Sequence, residues 1–324
     1  MNKMNKWIIS IALVIPMLLP AVKVHTLKSP IAGESFQTYL VMYALEELGY
    51  DVEPIEEVAY AVAFQTIAQN EKSKDIYFMA SNWDPLHATM FEKAGGHKKM
   101  YRKGSYIANS GQGYLVDKKT ADKYNIKYIN DLSKPKIAKL FDINGNGKAD
   151  LAGCNPGWGC EKVIEHQLDA YELRKTVEHN QGEYSAIIAD TITRYKAGKP
   201  ILYYTWTPYW VSGKLVPGKD TVWLQVTHSA HPVSKNTALP NGMNFGFNVN
   251  NQKIVANKIV MSKYKDAAKL FEIMELSVND VSAENMLISN GENKEKDMKR
   301  HAKQWIKAHQ KTFDGWIKTA KKAK

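Results

Sequence analysis

Cysteine is almost absent from this chain. Two residues in 324, Cys154 and Cys160, lie six positions apart in the stretch GCNPGWGCEK. That spacing is not the Cys-x-x-Cys of a redox pair, and two thiols without further ligands make no zinc site. Also missing are the G-x-S-x-G elbow, the H-E-x-x-H helix, the phosphate-binding loop and the G-x-G-x-x-G turn, which argues against the hydrolase, metalloprotease, nucleotidase and dinucleotide-dependent classes. The nine histidines are scattered without metal-ligand spacing. An enzyme is therefore not the favoured reading, with a hydrolase or lyase built on a private motif as the alternative. No second long apolar run follows the first 21 residues, and no low-complexity linker interrupts the rest. Any two lobes would thus be joined by strands and not by a tether.

What is present is a globular composition, 44% hydrophobic and 24% charged, with eight Trp and seventeen Tyr. The N-terminus sets Lys3 and Lys6 before an apolar stretch from Trp7 to Leu19, broken by Pro16. It is short for a membrane span and has the layout of a secretory signal over residues 1–21. An uncleaved anchor is the other reading, and no lipobox cysteine accompanies it. Export makes a disulfide the expected state of Cys154 and Cys160, with the role of holding a local shape. The net charge is +11, much of it in the C-terminal stretch from Glu292. There Trp305, His309, Phe313 and Trp316 recur at helical spacing, which predicts a packing stripe with solvated lysines on the other face. Attraction to an anionic membrane is the alternative. Nucleic acid is not expected, since no recognition motif accompanies the charge.

Strand-like and helix-like segments alternate. VKVHTLKS is followed by ESFQTYLVMYALEELG, closed by Gly49, and then by YDVEPIEEV and DIYFMAS. Later come CEKVIEHQLDAYELR, EYSAIIADTITRYKAG, PILYYTW, KYKDAAKLFEIMEL and VSAENMLISNG. This alternation predicts an α/β protein with mixed, mostly parallel sheet flanked by helices. Two of the strands end alike, at Trp83-Asp84-Pro85 and Trp206-Thr207-Pro208. Ligands in open α/β sheets bind beyond the carboxyl ends of strands, so each Trp stands either at a ligand or as a cap on the core. Trp158, between two glycines of the cysteine loop, is a third. A helix from Glu161 to Arg174 would leave Gly159 and Cys160 at its N-terminus, where unpaired amides and the helix dipole attract an anion. Gly159 would let a ligand approach the backbone.

An aromatic face beside an anion corner suits a ligand with a soft cation and a carboxylate a few atoms apart. A trimethylammonium group has no N–H, so aromatic faces must hold it. Three rings at about 1–2 kcal/mol each supply roughly 3–6 kcal/mol. Micromolar binding needs ~8 kcal/mol, so the carboxylate contacts must contribute too.

Three stretches, SNWDPLH, FDINGNGKADLAGCNPGWGCEKVIEHQLDAYEL and YYTWTPYWV, resemble the periplasmic glycine betaine/proline betaine-binding proteins of the bacterial osmoprotectant ABC importer. The similarity runs from about Val22 to the C-terminus. The resemblance implies a cage of Trp83, Trp158 and Trp206 around the quaternary ammonium. It implies a carboxylate site of His87, Gly159 and Cys160, and a disulfide between Cys154 and Cys160. By itself His87, near a proline turn, would read as an ordinary surface histidine.

The resemblance also implies the two-lobe fold of a type II-like periplasmic binding protein, closing on ligand in the inter-lobe cleft. One lobe is expected at about 22–115 plus 226–324 and the other at about 116–225. The implied partners are a small betaine, an ABC permease and its ATPase, with the protein a periplasmic monomer. A receptor for choline or another quaternary amine is the alternative. No cofactor is expected. The stretch DINGNGKAD spaces Asp142, Asn144, Asn146 and Asp150 as in a calcium loop, but Gly153 stands where the twelfth-position Glu should be. A polar turn built on Asn and Gly is the preferred reading, with bound calcium the alternative.

Overall fold

The computed structural model describes residues 22–324; the signal segment expected over residues 1–21 lies outside them. Among the described residues eleven strands form two mixed sheets. In chain order they are β1 (Lys23–Lys28), β2 (Asp51–Glu57), β3 (Ile76–Asp84), β4 (Met100–Tyr101), β5 (Ile107–Ser110), β6 (Gln112–Asp117), β7 (Ala149–Ala152), β8 (Val177–Asn180), β9 (Leu202–Trp206), β10 (Thr221–Trp223) and β11 (Asn250–Asn257). The first sheet has the order β2-β1-β3-β11-β4, with β5 also on β11; the second has the order β10-β6-β9-β7-β8.

Strand–helix alternation accounts for the parallel pairs, β1 with β2 and β3, and β7 with β8 and β9. Helix Ser35–Glu47 is the crossover from β1 to β2, and helix Gly159–Ala170 that from β7 to β8. The remaining pairs, made by β11 with β3, β4 and β5 and by β6 with β9 and β10, are antiparallel. They bring together segments far apart in sequence, which local periodicity does not register. Pro54 lies in β2, the edge strand, where the register with β1 shifts between Val52 and Ile55, an irregularity that accommodates a residue without an N–H.

The chain crosses between the sheets at Gly111, immediately after β5, and returns before β11. The divisions expected at 115/116 and 225/226 do not follow this architecture. The first falls inside β6, which pairs with β9 throughout. The second ignores a segment that packs on the second sheet. Phe247 lies 5.3 Å from the Tyr114 ring and 5.4 Å from that of Tyr204, and the Gly246 carbonyl accepts from Gln167 Nε2.

The basic C-terminal stretch forms two helices, Glu295–Ala308 and Gln310–Lys321, divided at His309. Phe313 and Trp316 are buried in the core over the first sheet. Trp305 is half-buried and stacks on both Trp316, at 5.7 Å, and the exposed His309, at 4.3 Å. Of the expected packing stripe Phe313 and Trp316 are buried and Trp305 partly so, while His309 is exposed at the break between the two helices. Among the described residues no helix is long and apolar enough to cross a membrane.

Candidate ligand-binding site

β3 ends at Trp83-Asp84 and β9 at Trp206, and each strand end leads into a cis peptide bond to proline, Asp84–Pro85 and Thr207–Pro208. The two strand ends come from different sheets and face one cavity. Asp84 is held by Arg102 at 3.2 Å and Lys253 at 2.9 Å, which anchors the end of β3. Trp206 is packed within an aromatic layer. Tyr209 stacks on it at 4.3 Å, Tyr184 lies at 4.7 Å, and Trp158 meets it edge-on at 5.8 Å.

Trp158 stands directly before helix Gly159–Ala170, at the end of the loop that the Cys154–Cys160 disulfide closes. Asn155 fastens that loop by accepting from the Tyr184 amide at 2.9 Å. The helix begins two residues earlier than expected, so Gly159 and Cys160 form its first turn. It also stops earlier, at Ala170, because Glu172 takes a positive φ of 56° and the Leu173 amide turns back to the Leu168 carbonyl. No side chain caps its N-terminus, so the first amides remain available to an anion.

The six residues expected at the site, Trp83, His87, Trp158, Gly159, Cys160 and Trp206, all line this cavity, which holds about 350 Å³ of empty space including its mouth. Five further lining residues were not expected: Ile31, Tyr60, Leu86, Gln112 and Tyr204. Tyr204 was within reach of sequence reasoning, since it lies two positions before Trp206 and therefore on the same face of β9. Its hydroxyl donates to Gln112 Oε1 at 2.6 Å. Ile31, Tyr60 and Gln112 come from segments with no local signal.

Gly159 is constrained differently from the sequence expectation. A Cβ there would lie 2.6 Å from Leu86 Cγ and 2.9 Å from the Leu86 carbonyl oxygen. The missing side chain thus makes room for Leu86, which reaches across from the other sheet.

His87 is buried against Tyr60, with ring centroids 4.2 Å apart. Its Nδ1 accepts from the Trp83 amide at 3.3 Å, which leaves the proton on Nε2. Burial, with the nearby Arg102 charge, pushes its pKa down to about 3 from the ordinary 6.5. The ring is therefore a neutral donor, and that donor should be unchanged between about pH 5 and 8. Ligand affinity followed by fluorescence across this range should accordingly be flat; a drop near pH 6 would show that the imidazole protonates in the folded protein. Stability behaves otherwise. Below about pH 6.5 the unfolded chain takes up a proton that folded His87 refuses until about 3, so His87 lowers stability progressively as pH falls through that window.

The calcium-like loop is occupied by its own donors. Asp142 accepts from the amides of Gly145 and Gly147 at 2.7 and 3.0 Å. Asp150 accepts from the side chains of Asn144 and Asn180 at 3.1 and 2.9 Å, and Asn146 donates to Glu178 at 2.6 Å. This is the bonding of a polar turn. Among the described residues no group of three or more His, Cys, Asp or Glu is disposed to hold a metal ion.

The family model for the substrate binding domain of ABC-type glycine betaine transport systems matches residues 27–308. The glycine betaine/proline betaine-binding periplasmic protein of Escherichia coli K12 is 57% identical over 301 residues, covering 92% of this chain and 90% of its own. The protein of the same description from Salmonella typhimurium is 53% identical over 302 residues, covering 92% and 90%. Among solved structures, lactococcal OpuAC in its closed-liganded conformation complexed with glycine betaine is similar at a TM-score of 0.69 and 24% identity, covering 91% of this chain and 99% of that one. An ABC-transporter choline binding protein in complex with choline is similar at a TM-score of 0.69 and 15% identity, covering 91% of each. At those identities the structural likeness establishes the two-lobe α/β fold. By the extent of the family match and the identity of these relatives, the chain belongs to the substrate-binding domains of ABC-type glycine betaine transport systems, a family that delivers its substrate to a transporter and does not transform it.

Proposed function

We propose that the protein is an exported, monomeric periplasmic receptor that captures glycine betaine or proline betaine and hands it to an ABC permease and its ATPase. Trp83, Trp158 and Trp206 enclose the quaternary ammonium. His87 Nε2–H and the amides of Gly159 and Cys160 hold the carboxylate. The two lobes comprise about 22–111 plus 250–324 and about 112–249, the division that sheet membership supports. The observation that carries the reading is a single small cavity in which tryptophans from two sheets converge beside a neutral histidine donor and an uncapped helix N-terminus. Because the walls come from both lobes, binding energy favours the closed arrangement, which a permease can sense.

The test is an intrinsic-fluorescence titration with glycine betaine, proline betaine, choline and proline, repeated on Trp158→Ala. Both betaines should bind more tightly than choline, which lacks the acid, and than proline, which lacks the quaternary methyls. Loss of one cage wall should raise the betaine Kd about tenfold. Unchanged affinity in the variant would reject the cage, and choline binding more tightly than glycine betaine would reject the anion corner.

A further inference from the structure

Behind the cavity wall lies a buried carboxylate that the roles above leave unused. Glu34 precedes helix Ser35–Glu47 and is 4% exposed. Its Oε1 accepts from the Tyr60 hydroxyl at 2.6 Å and from Trp83 Nε1 at 3.1 Å. Its Oε2 accepts from the hydroxyls of Ser29 and Ser81 at 2.7 and 2.6 Å. All four partners donate, and an indole N–H can do nothing else. Tyr60 keeps its proton, since burial and then the Glu34 charge raise its phenol well above the ordinary value.

Glu34 does not line the cavity, whereas Tyr60 and Trp83 both do. Burying a charge is costly, and a neutral acceptor could satisfy donors of this kind, so packing alone does not account for a carboxylate here. A charge does what a neutral acceptor cannot. A charge-assisted bond to the indole N–H is stronger than a neutral one and shifts electron density into the ring, deepening the negative face that attracts a cation.

We propose that Glu34 sets the preference of this site for a cationic head group over a neutral one of the same shape, by polarising Trp83 through its indole N–H and fixing Tyr60 beside it. Glu34 is a positioning residue, acting through Trp83 without touching the ligand. The inference rests on the betaine reading given above.

The experiment compares the wild-type protein and Glu34→Gln, each titrated with glycine betaine and with tert-butylacetate. In the second ligand carbon replaces nitrogen while the three methyls and the carboxylate remain. In Glu34→Gln the betaine Kd should rise about tenfold while that for tert-butylacetate stays within about twofold or falls. Equal losses for both ligands would reduce Glu34 to a scaffold and overturn the proposal, as would no loss for betaine. Should circular dichroism show Glu34→Gln to be unfolded, Glu34→Asp replaces it under the same criteria, since it keeps the charge but draws it back from the indole. A wild-type protein that binds no glycine betaine would refute the receptor reading itself, and this inference with it, before any variant is made.

Discussion

Trp206→Ala should be the most damaging single change in the cavity wall, losing folding stability and ligand affinity together. Trp206 is buried and touches the rings of Tyr184, Tyr204, Tyr209 and Trp158. These neighbours are themselves fixed. Tyr184 donates to the Tyr204 carbonyl at 2.9 Å, and Tyr204 donates to Gln112. They cannot collapse into the vacated space without breaking those bonds, so a cavity remains. Truncating a buried Trp costs about 3–5 kcal/mol, which lowers Tm by on the order of 10 °C in a domain of this size. Trp158→Ala provides the contrast. Its half-buried ring is held by a cross-linked loop, so it should lose affinity with a much smaller fall in Tm. Thermal melts of both variants without ligand make the comparison. A Trp206→Ala melt matching the wild type would show that the aromatic layer is not part of the folding core.

Gly159→Ala should do the opposite, sparing the fold and disabling capture. Gly159 is the first residue of its helix and does not have a positive φ, so alanine fits the local backbone and helix propensity is no obstacle. The added methyl instead meets Leu86 of the other sheet, its side chain at 2.6 Å and its carbonyl at 2.9 Å. Leu86 cannot simply retreat, because its amide donates to Asn250 Oδ1 at 2.9 Å. Relieving the clash means holding the two sheets slightly apart. Overpacking of this kind costs about 1–3 kcal/mol, or about 5- to 150-fold in affinity, and the cost falls on the closed state alone. Calorimetric titration should show that loss while the ligand-free Tm stays at or slightly above the wild-type value. Unchanged affinity would mean that binding does not require Leu86 and Gly159 to come this close. A fall in ligand-free Tm would mean that the contact belongs to the fold.

Much of the local structure is legible in the sequence. The helix expected over 34–49 spans Ser35–Glu47, and the strand ending at Trp206 spans Leu202–Trp206. Helix Tyr184–Lys196 is capped by Glu183, which accepts from the Ala186 amide. Each is specified by residue choices within a few positions, the Glu183 cap of helix Tyr184–Lys196 among them. The antiparallel strands β6, β10 and β11 escaped because their pairing partners lie far away in the chain, and a short apolar run cannot announce a remote partner. The same holds for the sheet crossings at Gly111 and before β11, which depend on where Phe247 and Gly246 pack.

At the site, the sequence by itself determined the chemistry. It supplied three tryptophans placed at strand ends and in a cysteine-closed loop, and a helix N-terminus beginning within that loop, all short-range features of the chain. The tertiary structure decided what those pieces face. It brought Tyr60, Gln112 and Leu86 to the cavity and placed Glu34 behind Trp83. It also gave Gly159 a reason to be glycine that lies in the opposite sheet. Spacing along a chain fixes which groups share a face, but contacts between faces arise only when two sheets have been packed together.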